Sequence, residues 1–106
     1  LILKCLCMLK FHRDILKEFE PVGRRAKVIL FGSVAKGDYR LDSDIDLAIV
    51  TDEEDLRKVS SSIADRILVK YGKVVSLKFI REEDFAKRKD SFMEEVRKGR
   101  MIYHGG

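Results

Sequence analysis

Cysteine is scarce: Cys5 and Cys7 are the whole complement. Two positions apart on a helix they face different directions, which excludes both a disulfide and a shared metal ion. A reducing, cytoplasmic setting is the expectation. Long apolar runs are missing too. The first eleven residues are markedly apolar, but Lys4 and Lys10 interrupt them, and a bilayer span needs about 20 such residues. No membrane association is expected. A secretory leader would carry basic residues before its apolar core and a small-residue cleavage site after it; neither pattern is found. The opening residue is Leu rather than Met, and one reading starts the natural protein at Met8, leaving residues 1–7 non-native. Repeats and low-complexity segments are lacking. So is a large charge excess: the net charge is +4, too modest to declare a nucleic-acid binder. The basic runs Lys87-Arg88-Lys89 and Arg97-Lys98, with Arg100, have no interleaved aromatic residues for stacking bases. A nucleic-acid partner is therefore not favoured, although a basic balance suits a triphosphate.

What remains describes one domain, residues 1–106, large enough for a core but on the small side. An apolar fraction of 45% beside a charged fraction of 38% fits a soluble globular protein. The charged share exceeds the usual figure of about 25%, as surface ion-pair networks of thermophilic proteins would require.

The informative stretch is 28–50. An apolar run ends at Phe31 and is followed at once by Gly32-Ser33, then by a polar connection through Lys36 and Gly37. A second apolar run opens with Ser43-Asp44-Ile45-Asp46. Alternation on a strand points Asp44 and Asp46 the same way, their Cα atoms roughly 6.5–7 Å apart. Two aligned carboxylates repel each other unless a cation neutralises them. Their hard oxygens suit Mg²⁺ or Mn²⁺ shared with substrate phosphates. A Gly-Ser turn after a strand exposes backbone N–H groups that receive phosphate. Together these are the equipment of phosphoryl or nucleotidyl transfer. An EF-hand reading of Asp42, Asp44 and Asp46 fails, because the sharp-turn glycine it needs is Leu47, inside an apolar strand pattern.

Strand, Gly-Ser, about ten residues and Asp-x-Asp in a second strand: this order resembles the minimal nucleotidyltransferases of the DNA polymerase β superfamily. The resemblance implies an α/β (α+β) fold, a small mixed sheet flanked by helices. It implies transfer of a nucleoside monophosphate, from ATP or another NTP, to an acceptor hydroxyl. Asp44 and Asp46 would be catalytic and would hold two Mg²⁺ ions. Gly32, Ser33, Lys36 and Ser43 would bind the nucleotide. Stand-alone members of this kind act beside a small all-helical HEPN protein, as the antitoxin of a toxin–antitoxin pair, which makes such a protein the expected partner. Self-association is also compatible.

The flanking elements follow from periodicity. Residues 2–20 read as a helix, with Cys5, Met8, Leu9, His12, Ile15, Leu16 and Phe19 on one face and Pro21 as its stop. Val22-Gly23 reads as a turn, and 26–31 as the first strand. Thr51-x-x-Glu54 reads as a capping box opening a helix to Tyr71, with Leu56, Val59, Ile63, Ile67 and Leu68 inward and Gly72 as terminator. Residues 73–80 are the third strand. Helices over 82–89 and 90–98 follow, the second capped by Asp90 or Ser91, then a short edge strand over 101–103.

The third strand departs from the family pattern. Its expected metal carboxylate is replaced by Ser76 in Val75-Ser76-Leu77, with Lys78 on the same face. Glu82, Glu83 or Asp84 would be the nearest substitutes. The alternative function is therefore a catalytically weakened nucleotide-binding or protein-binding module that neutralises its partner by covering it.

Overall fold

The computed structural model describes residues 10–32 and 44–105. Cys5, Cys7, Ser33, Lys36, Gly37 and Ser43 lie outside them. The first helix, α1, spans Lys10–Lys17 and buries His12, Ile15 and Leu16. The chain does not continue as one helix to residue 20. It breaks after Lys17, and a separate turn of helix, α2, covers Glu20–Gly23. Pro21 opens α2 instead of ending α1. The first turn of a helix needs no intrahelical N–H, so proline is tolerated there. Val22 and Gly23, expected in a turn, are buried in this helix. A Cβ on Gly23 would lie 2.1 Å from the Tyr103 ring, so only glycine lets that ring close over α2.

Two apolar runs form the centre of the sheet. Strand β1, Lys27–Phe31, pairs antiparallel with β2, Ile45–Val50, in a register that sets Phe31 opposite Asp46. Helix α3, Glu54–Tyr71, then carries the chain to β3, Val75–Ile80, which lies parallel to β2. A parallel return needs a crossover of this length. Helices α4, Glu82–Lys87, and α5, Ser91–Arg97, lead to β4, Arg100–His104, antiparallel to β1. The strand order β3-β2-β1-β4 gives a four-stranded mixed sheet, as expected.

Alternation along the strands feeds two cores. Val28, Leu30, Ile45, Leu47 and Ile49 pack with Ile15, Leu16, Phe19, Leu56, Ile63 and Ile67 on the side of α1, α2 and α3. Ile29, Phe31, Ala48, Val50 and Ile80 pack with Met93 and Val96 of α5 on the other. Each fully buried side chain of this size contributes about 1.5–3 kcal/mol. The sheet is thus sandwiched between helices, with β1 and β2 at its centre.

Several local expectations change. Thr51 does not cap α3: Glu53 holds the N-cap position without a side-chain bond, and Thr51 Oγ1 accepts from the Glu53 N–H at 3.0 Å. The hydroxyl is used up by a turn two residues long. The inward stripe of α3 is Leu56, Ser60, Ile63 and Ile67; Val59 and Leu68 are exposed at 40% and 49%. Ser60 tolerates burial because its hydroxyl donates to the Leu56 carbonyl at 2.7 Å. Gly72 ends the helix with φ 67°, as read. Asp90 caps α5, accepting from the Met93 N–H at 2.9 Å. Strand β4 is longer than the expected 101–103, and its Tyr103 hydroxyl donates to the Leu16 carbonyl at 3.1 Å.

Candidate functional site

Asp44 and Asp46 stand where β2 begins. The Ile45 N–H donates to the Val74 carbonyl at 3.1 Å, tying this start to the entry of β3. Alternation puts Ile45 and Leu47 into the α1–α3 core and turns Asp46 to the other face of the sheet, which it shares with Ala48 and Val50. Asp46 is half-buried and Asp44 exposed. Burial pushes the Asp46 carboxyl above its ordinary value, and the neighbouring Asp44 charge adds to the rise; Lys78 opposes it. The two acids therefore feel each other, as their alternate placement requires.

Gly32 closes the site from β1. Its φ of +75° is a left-handed conformation, and a Cβ there would lie within 2.4 Å of Asp46 Oδ2. The glycine after the first strand and the second acid of the pair are thus one packed unit. Sequence alone places both residues but gives no sign that they touch. Phe31, on the same face and across from Asp46, is itself covered by Phe92 of α5, ring centroids 5.9 Å apart in an edge-to-face pair.

On the other flank, β3 places Ser76 directly beside Asp46 and Lys78 beside Ala48. The register seats Ser76 directly across from Asp46, at the position where the family resemblance leads one to expect a third acid. The proposed substitutes do not reach it. Glu82, Glu83 and Asp84 begin α4 beyond Ile80, roughly 13 Å along the strand from Ser76, and the Glu82 N–H is held by Asp52 Oδ1 at 3.2 Å. Among the described residues no three His, Cys, Asp or Glu side chains converge as a metal-binding group.

The basic residues ahead of β1 are engaged elsewhere. Arg24 pairs with Glu20 and Arg25 with Glu53, each at 2.8 Å. In the later basic runs, Lys87 pairs with Glu83 and Arg88 with Asp90, and Arg97 donates to the Phe85 carbonyl at 2.7 Å. His12 is fully buried in the α1 face, with its ring edge-to-face against Phe11; burial, then the Lys73 charge, lowers its basicity. It belongs to the core. A concavity of about 420 Å³ lined by Lys17, Arg24, Tyr103 and His104 lies at the Lys27 end of β1, opposite the acids. No described helix is long and apolar enough to cross a membrane.

A mixed sheet with paired acids at the start of β2 and a left-handed glycine closing on the second of them fits a nucleotidyltransferase. The family model for the nucleotidyltransferase domain matches residues 9–101, and the chain belongs to that family. Over 83 residues it is 41% identical to a protein of Methanocaldococcus jannaschii that bears the name "Putative protein adenylyltransferase"; the match covers 76% of this chain and 81% of that protein.

Proposed function

We propose that the chain moves AMP from ATP onto an acceptor hydroxyl of a protein, as the antitoxin of a toxin–antitoxin pair whose partner is a small helical HEPN protein. The observation that carries the chemical part is the packing of Asp46 against Gly32, with Asp44 beside it. The name of the Methanocaldococcus relative supports adenylyl transfer to protein. The partner follows from the family resemblance.

The donor set suits a divalent ion. It consists of hard oxygens, and a cation would favour the ionised Asp46 carboxyl that burial first, and the Asp44 charge second, disfavour. Asp44 and Asp46 would hold Mg²⁺ or Mn²⁺, which when bound would neutralise triphosphate charge and make the acceptor oxygen a better nucleophile. The chain's own part is positional. The Gly32 turn would bring backbone close to the nucleotide phosphates, and by the family resemblance Ser33, Lys36 and Ser43 would add polar contacts to them. Fixing the α-phosphate in line with the acceptor oxygen lowers the entropy cost of the step. The acceptor hydroxyl gives up its proton to solvent as its oxygen bonds to the α-phosphorus, the bond to the β-phosphate oxygen breaks, and pyrophosphate leaves.

The test is incubation of parent and Asp46→Asn with ATP labelled at the α-phosphate and Mg²⁺, in extract containing the natural partners. Label on a protein with the parent alone supports the proposal and identifies the acceptor. Absence of label, with partner binding unaltered by Asp46→Asn, favours the second reading, a module that neutralises its partner by covering it. Ser76 beside Asp46 and the cation of Lys78 are the observations behind that reading.

A further inference from the structure

Among the described residues, the face of the sheet that carries Asp46 holds one exposed cation on β3, Lys78. Its register partner on β2 is Ala48, whose methyl group is too short to screen it from the acids. One strand over and two residues along, the Cα of Lys78 lies roughly 8 Å from that of Asp46. A four-carbon stem carries the ammonium readily over that gap. No ion pair of Lys78 within salt-bridge distance occurs among the described residues.

We infer that Lys78 is a phosphate-binding residue of the nucleotide site, its ammonium meeting phosphate oxygens from the β3 flank while the Gly32 turn meets them from β1. The inference rests on the proposed nucleotidyl transfer. Its physical basis is charge balance. A pair of carboxylates repels a triphosphate, and an ammonium carried on the same face offsets part of that repulsion before any metal ion arrives. Ser76, neutral beside Asp46, adds no opposing charge. An ordinary surface lysine on an edge strand serves only to discourage strand pairing; Lys78 differs because the strand register sets it on the face of the acid pair, one strand over from Asp46.

The consequence is nucleotide binding that persists in part without metal. Calorimetric titrations of the parent, Lys78→Ala and Lys78→Arg with ATP and with adenosine, in EDTA and in Mg²⁺, test it. A charge-assisted contact predicts that Lys78→Ala weakens ATP binding in EDTA by about tenfold or more. The loss shrinks in Mg²⁺, adenosine binding is unchanged, and Lys78→Arg retains most of the affinity. Mn²⁺ binding to the nucleotide-free protein, followed by electron paramagnetic resonance, tightens in Lys78→Ala, because a cation beside the acids has gone. Equal ATP affinity of parent and Lys78→Ala in both media overturns the inference while leaving the transferase reading intact. A parent that binds neither ATP nor its Mg²⁺ complex overturns both.

Discussion

Replacing Gly32 by alanine probes the tightest contact of the site. Two costs are separable. The left-handed backbone, φ +75°, costs an L-residue about 1–2 kcal/mol. The added Cβ also meets Asp46 Oδ2 at 2.4 Å, and relieving such an overlap costs about 1–3 kcal/mol. Gly32→Ala is therefore expected to destabilise the parent by about 2–5 kcal/mol. In an Asp46→Ala background the oxygen is gone and only the backbone cost remains, so the same substitution costs about 1–2 kcal/mol. Urea unfolding of the four proteins in the cycle gives the difference directly. A coupling of about 1 kcal/mol or more between the two positions is the expected result. Equal cost of Gly32→Ala in both backgrounds would refute the packing of glycine against acid, and with it the idea that the two act as one unit.

Other predictions follow from single contacts. Gly99→Ala, whose Cβ would lie 2.4 Å from the Leu30 carbonyl oxygen, presses on backbone that cannot swing aside; a loss of about 1–3 kcal/mol in urea unfolding is expected. Asp90→Ala removes the α5 cap and should cost about 0.5–2 kcal/mol, whereas Asp90→Asn, still able to accept, should cost less. Burial lowers the His12 pKa from 6.5, with the nearby Lys73 charge acting the same way. The unfolded chain therefore binds this proton first, and the protein loses stability as pH falls below about 6.5. Unfolding midpoints between pH 8 and pH 5 should fall more steeply for the parent than for His12→Gln.

The sheet and the acid pair were legible because they rest on local patterns. Val28 to Phe31 and Ile45 to Val50 are short apolar runs with turn residues between them, and alternation alone puts Asp44 and Asp46 on one face. Gly72 and Asp90 announced their caps by residue type. What failed depends on tertiary context. Thr51 satisfies the capping pattern but bonds to Glu53 instead. Ser60 replaces Val59 in the buried stripe because its hydroxyl finds a carbonyl within its own helix. Pro21 stops one helix only by beginning another. At the site, the family pattern singled out Ser76, but its place beside Asp46 needed the register of β2 against β3, and the closure of Gly32 on the carboxylate needed that of β1 against β2.

The most direct test of the account is a crystal structure with Mn²⁺ and a non-hydrolysable ATP analogue, using the anomalous signal of manganese to place the ion. The account predicts a peak bridging Asp44 and Asp46, with analogue phosphate beside Gly32, and no such peak for Asp46→Asn. Nucleotide bound elsewhere, or a manganese site that survives Asp46→Asn unchanged, would contradict it.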